Sequence, residues 1–112
     1  MDTILFERRG AVAHITLNRP DKYNSFNREM ALAMQGVLDE CKADESIRAI
    51  YLTGAGKAFS AGQDLGEIVA DDGPELTTIL TEHYNPIVTR LRAIEKPIVA
   101  AVNGVAAGAG AN

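Results

Sequence analysis

Apolar residues recur at two spacings along the 112-residue chain, and each change of spacing marks an element. Ile4 to Arg8 reads as a short strand, turned at Arg9-Gly10. From Ala11 to Asn18, the residues Ala13, Ile15 and Leu17 alternate with Val12, His14 and Thr16. That period of two predicts a strand with one face toward a core, forming a hairpin with the first. Asn18 to Ser25 is a loop by its Pro, Asp and Asn content. Met30, Met34, Val37, Leu38 and Cys41 then return every three or four residues, the spacing of a helix buried along one face. Asn27 is placed to cap that helix, and Glu29 in its first turn suits the helix dipole. After a polar break at Ala43 to Ser46, Ile47 to Thr53 is a further strand, ended by Gly54-Ala55-Gly56-Lys57. Asp71-Asp72-Gly73-Pro74 is an exposed loop. Glu75 to Glu95 reads as one long helix with the stripe Leu76, Ile79, Leu80, Ile87, Leu91 and Ile94, kinked at Pro86 and stopped by Lys96-Pro97. Ile98 to Val102 is a continuous apolar run, the pattern of a strand buried on both faces.

Two stretches of small residues break this pattern. In Lys57 to Leu65, Ser60, Ala61 and Gly62 stand between Phe59 and the polar pair Gln63-Asp64. Small residues let a ligand approach the main chain, and Gly62 can take backbone angles other residues resist. If Gln63 or Asp64 opens a helix, free N–H groups point out of its end toward an anion or a polarised carbonyl. An ordinary strand-to-helix loop has the same composition. The second stretch runs from Asn103 to Asn112. Its glycines, at 104, 108 and 110, do not fit Gly-x-Gly-x-x-Gly, and Gly54 to Lys57 does not fit a Walker A loop. Both stretches combine a strand, a turn of small residues and a helix start. Backbone N–H groups brought from two such turns to one oxygen atom form an oxyanion hole.

Composition narrows the class. With 46% hydrophobic and 23% charged residues the chain is an ordinary globular one, and its net charge of −4 argues against nucleic acid as a partner. The single cysteine, Cys41, excludes an internal disulfide and belongs to the helical core stripe. No signal sequence opens the chain, and its longest apolar run is far too short to span a membrane, so a cytoplasmic protein is expected. His14 falls on the polar face of its strand and His83 reads as a surface or interface residue. Neither has ligand-like neighbours, so no metal site is expected.

The segments Leu17-Asn18-Arg19-Pro20…Asn24, Gly56 to Leu65 and Lys96 to Gly110 stand in the order and at the spacings of one family. Together they cover essentially the whole chain. On these residues the chain resembles the N-terminal part of a crotonase (enoyl-CoA hydratase/isomerase) family member. The resemblance implies an α/β fold, a spiral of repeated ββα units. It implies that the backbone N–H groups of Gln63 and Ala109 form an oxyanion hole for an acyl-CoA thioester. Main-chain groups around Ala61, Asp64 and Leu65 would hold the adenine and pantetheine parts of CoA, with Lys22 near its phosphates. As plain structure, Lys22 is a solvated loop lysine and Asp64 a cap on its own helix. No cofactor is implied, since coenzyme A is part of the substrate; the partners implied are copies of itself, as a trimer or dimer of trimers.

One position departs from the hydratase branch. Where that branch places a glutamate acting on water, this chain has Asn112, which cannot exchange a proton near neutral pH. The run Gly104 to Asn112 is instead similar to the family's phenylacetate-pathway isomerases. These convert 1,2-epoxyphenylacetyl-CoA to oxepin-CoA, can shift double bonds in enoyl-CoA, and carry their acid/base aspartate further along the chain. The expectation is therefore an acyl-CoA isomerase, with an enoyl-CoA hydratase and a non-catalytic acyl-CoA-binding module as alternatives. Residues 1–112 read as the N-terminal part of one catalytic domain, cut before its second half and its trimerisation helices, and inactive alone. Acyl preference is expected to depend on Ile68 to Leu80.

Overall fold

The computed structural model describes residues 2–64, 66 and 78–111. Leu65, Asn112, the Asp71 to Pro74 loop, most of the Ile68 to Leu80 stretch and the first turn of the expected long helix lie outside them. Strands β1 (Ile4–Arg9) and β2 (Val12–Leu17) form the expected antiparallel hairpin, with Ile4 opposite Leu17 and Arg9 opposite Val12. Strand β2 pairs in parallel with β3 (Ala49–Gly54), and β3 with β5 (Ile98–Ala101), which gives the sheet order β1-β2-β3-β5. A second, smaller sheet pairs β4 (Ala58–Ser60) with β6 (Val105–Ala106) in parallel. The β3–β4 and β5–β6 units thus each place their first strand in the large sheet and their second in the small one. Neither β4 nor β6 stands out in the sequence, because two or three residues are too few to display a period of two.

Helix α1 (Arg28–Ala43) forms as its pattern predicts. Asn27 Oδ1 accepts from the Met30 backbone N–H at 2.9 Å, and Met30, Ala31, Met34, Leu38 and Cys41 are buried. They pack in one core with Ala13, Ile15 and Leu17 of β2 and Ile50 of β3. The other end of α1 is closed by Lys96, whose ammonium donates to the carbonyls of Cys41 at 2.5 Å and Asp44 at 2.9 Å. Those are carbonyls that a helix terminus leaves without an intrahelical donor.

Three expectations need correction. The described part of the long helix is not one α-helix: Ile79–Tyr84 is a π-helical segment, followed by α2 (Asn85–Ala93). Pro86 has no N–H to give and its ring clashes with the preceding turn, and a widened turn ahead of it relieves both. Gln35 donates to the carbonyls of Glu82 at 2.6 Å and His83 at 3.2 Å in that turn. His83 itself is fully buried, not a surface residue. Its Nε2 lies 3.3 Å from Arg28 Nη1, and since a guanidinium only donates, Nε2 accepts. Finally, β5 is not buried on both faces: Val99 is 58% exposed, as is Val102 just beyond it. Among the described residues β5 is the edge strand of its sheet. No helix among the described residues is long and apolar enough to cross a membrane.

Candidate functional site

The loop after β2 is folded back by Asn24. This residue is fully buried with φ +55°, a conformation that asparagine tolerates better than most residues. Its Oδ1 accepts from the Arg19 N–H at 2.8 Å, and its Nδ2 donates to the carbonyls of Ala55 at 2.9 Å and Ala58 at 2.8 Å. Ser60, also fully buried, donates through Oγ to the Asn24 carbonyl at 2.9 Å. The Ala61 N–H reaches the Tyr23 carbonyl at 3.0 Å. The small residues of the first turn therefore lie against the loop, and a larger side chain at Ser60 would have no room there.

Gln63 itself is extended, and Gly66 is already helical, so a helix opens just after Asp64, as the sequence leads one to expect. Gln63 forms a parallel bridge with Phe26, in which Phe26 N–H donates to the Gly62 carbonyl at 2.6 Å and Asp64 N–H to the Phe26 carbonyl at 2.8 Å. In a trans peptide the C=O and the following N–H point in opposite directions. With the Gly62 carbonyl fixed toward Phe26, the Gln63 N–H is directed to the other side. Asp64 Oδ1 accepts from the Gly66 N–H at 2.9 Å, in the manner of a cap. Its other oxygen pairs with Arg19 Nη2 at 2.9 Å, with the two side chains only 15% and 21% exposed. Arg19 also donates to the Ser25 carbonyl at 2.5 Å. In sequence Arg19 and Asn24 stand in a loop segment that carries the family resemblance, but nothing there assigns either of them a contact.

The second turn leaves β6 into a 3₁₀ turn, Gly108–Gly110, with Ala111 after it in helical conformation. Gly110 N–H donates to the Ala107 carbonyl, and Ala111 N–H to the Gly108 carbonyl. The same trans-peptide argument turns the Ala109 N–H back out of the turn's N-terminal end. The two turns touch. Gly62 has φ +96°, and a Cβ there would lie 3.2 Å from the Ala109 nitrogen and 3.1 Å from the Ala107 carbonyl oxygen. A Cβ at Gly110 would collide with the Ser60 carbonyl oxygen, so only glycine permits this approach.

Two concavities meet at Ala109. A polar cleft of about 550 Å³ is lined by Lys22, Ser25, Ala61, Gln63, Asp64 and Ala109, with Gly66 and Gly108. Of the residues singled out in the sequence for CoA and for the oxyanion hole, the cleft brings together every one except Leu65, which lies outside the described residues. On the other side, an apolar cavity of about 220 Å³ is walled by residues including Phe26, Tyr84, Ile87 and Leu91, with Ala109 at its edge. Tyr84, which the sequence left unremarked, donates its hydroxyl hydrogen to Gln63 Oε1 at 2.6 Å. Backbone donors at a junction between a polar cleft and an apolar cavity can polarise a carbonyl whose two substituents differ in the same way. Cys41 lies elsewhere, in the core, where burial foremost and the Glu40 carboxylate next push its thiol up. That holds it protonated, not nucleophilic.

Residues 7–112 match the sequence profile of the family described as Enoyl-CoA hydratase/isomerase. The chain is 46% identical over 114 aligned residues to the 1,2-epoxyphenylacetyl-CoA isomerase of Escherichia coli K12, covering 99% of this chain and 44% of that protein. It is 44% identical to a probable enoyl-CoA hydratase of Rhodobacter capsulatus, covering 98% of this chain and 42% of that protein. Among solved structures, an enoyl-CoA hydratase of Mycobacterium smegmatis superposes with a TM-score of 0.88 at 33% identity, over 96% of this chain and 42% of its own. A monofunctional enoyl CoA isomerase from M. smegmatis gives 0.77 at 32% identity, over 98% of this chain and 44% of its own. The chain spans less than half the length of these relatives. It belongs to the enoyl-CoA hydratase/isomerase family and has the α/β crotonase fold.

Proposed function

We infer that the protein acts on acyl-CoA thioesters as an isomerase, holding the thioester carbonyl between the Gln63 and Ala109 amides. The observation that carries this reading is the apposition of the two peptides across Gly62, where the polar cleft meets the apolar cavity. CoA lies in the polar cleft along Ala61 and Asp64, with Lys22 toward its phosphates, and the acyl group enters the apolar cavity. CoA is part of the substrate, so no separate cofactor is invoked. When a proton leaves the α-carbon, negative charge moves onto the thioester oxygen. Donors already aimed at that oxygen stabilise the enolate more than the ground state, and one such donor is worth about 3 kcal/mol of barrier. The acid/base group is an aspartate or glutamate further along the natural protein.

Isomerisation is favoured over hydration because Asn112 occupies the place of the water-activating glutamate, and because of the likeness to the Escherichia coli isomerase. The reaction is the conversion of 1,2-epoxyphenylacetyl-CoA to oxepin-CoA, a double-bond shift in enoyl-CoA, or both. Hydration is the second reading, favoured by the relatives named as hydratases. Assembly into a trimer or dimer of trimers belongs to the same proposal, and sedimentation of the natural full-length protein tests it.

The natural full-length protein, incubated with these substrates, is expected to give products of unchanged mass. A product heavier by one water identifies a hydratase instead. Gly62→Ala places a methyl against the Ala109 nitrogen and strains a φ of +96°. It is expected to lower kcat about a hundredfold while free CoA still binds. Turnover by this variant at the wild-type rate would sink the oxyanion assignment.

A further inference from the structure

Gln63 is held by two aromatic residues, and both form walls of the apolar cavity. Phe26 bridges its main chain, and Tyr84 holds its side chain through the 2.6 Å hydrogen bond to Oε1. The two rings meet edge to face, with centroids 6.1 Å apart and planes at 63°. Both line the apolar cavity, as does Ala109. Tyr84 is the last residue of the π-helical segment Ile79–Tyr84, immediately before α2. A widened turn offsets the following register from that of a regular helix, so the break at Pro86 sets where this hydroxyl lands. An acyl group filling the cavity must touch these rings, and whatever orders the Tyr84 ring also orders Gln63.

We propose that Tyr84 is a positioning residue that couples occupancy of the apolar cavity to the orientation of the Gln63 peptide. This rests on the oxyanion reading of that peptide. Acyl groups that reach the cavity are then rewarded in polarisation of the thioester, which raises turnover, more than in affinity. The coupling makes Tyr84 a determinant of acyl-chain specificity without any polar contact between its hydroxyl and the substrate.

Infrared difference spectra of the bound thioester carbonyl read polarisation directly, without needing turnover. The natural full-length protein would be compared with octanoyl-CoA, whose acyl chain reaches the cavity, and acetyl-CoA, whose acyl group does not. The expected result is a lowered carbonyl frequency with both, lowered further with octanoyl-CoA. In Tyr84→Phe, which keeps the ring, the extra shift is lost while the Kd for octanoyl-CoA changes by less than about twofold. Gln63→Met is expected to lose the same extra shift independently, and the double variant to lose no more than either alone. An extra shift that survives in Tyr84→Phe, or a loss that appears only as weaker binding, overturns the coupling and leaves the oxyanion reading standing. A carbonyl frequency unchanged from free thioester in the wild type, with CoA bound, overturns both.

Discussion

Asn24 illustrates how much a single buried amide can organise. It joins the loop after β2 to the segment between β3 and β4, and its side chain serves one donor and two acceptors. Removing it takes that partner from the Arg19 N–H and the Ala55 carbonyl, while the Ala58 carbonyl keeps Asn103 Nδ2 at 3.2 Å, and a buried group left unmet costs about 1–3 kcal/mol. Asn24→Ala is therefore expected to destabilise the fold by about 3 kcal/mol, read as a lower urea midpoint at unchanged m-value. Asn24→Asp should cost at least as much as Asn24→Ala, because it sets a buried carboxylate oxygen against the Ala55 and Ala58 carbonyls. The site depends on such residues at one remove. The groups proposed to meet a carbonyl are main-chain amides, and the side chains of Asn24, Ser60, Arg19 and Asp64 hold the main chain around them.

At the scale of elements, α1 and its exits carry separable contributions. Asn27→Ala removes the cap on Met30 N–H and is expected to cost about 1 kcal/mol, measurable as a shifted denaturation midpoint. At the opposite end Asp44 accepts from the Ser46 hydroxyl at 2.6 Å and the Ser46 N–H at 2.9 Å. The Ser46 hydroxyl first, then the Ser46 N–H, hold the Asp44 carboxyl below the usual carboxylate range, with Arg8 and Lys96 contributing less. A depressed folded-state value means the stabilisation is present above about pH 4 and disappears as pH falls through the folded value. Asp44→Asn is expected to flatten that part of the acid-denaturation profile, as followed by circular dichroism.

The same elements explain what was legible in advance. The β1–β2 hairpin and α1 could be read because six or more residues repeat a period strongly enough to identify a buried face. Strands β4 and β6 could not, and neither could the π-helical segment, since a proline in an apolar helical stripe predicts a break without its geometry. His83 sits four residues from both Ile79 and Ile87, on the buried side of that stripe. Its polarity argued for the surface, and the contact with Arg28 that accommodates it is long-range. The residues of the polar cleft were legible for a different reason. Turns that must pass within van der Waals distance of each other require glycine and alanine, and such runs are conspicuous in sequence even when the strands beside them are not.

At the scale of the whole chain, apolar side chains are exposed among the described residues at the β5 edge of the large sheet and on β6 of the small one. Val99 and Val102 are each 58% exposed and Val105 is 63% exposed. A surface of this kind binds hydrophobic dyes. The 112-residue chain by itself is expected to enhance anilinonaphthalene sulfonate fluorescence, and Val99→Thr with Val102→Thr to reduce that enhancement. An unchanged signal would place the dye elsewhere.

The distribution of strands between the two sheets also bears on how the chain is made. On the ribosome, β1 and β2 can pair as soon as both have emerged, because only a tight turn separates them. Strand β4 has no such neighbour. Its parallel partner β6 begins only at Val105, after the π-helical segment, α2 and β5 have all been synthesised. Until then the short sheet does not exist, and Ser60, Ala61 and Gly62 have nothing from the second turn to rest against. The polar cleft therefore forms only once Val105 and the turn after it have been synthesised, and a premature stop before Val105 releases a chain with an N-terminal hairpin but no site.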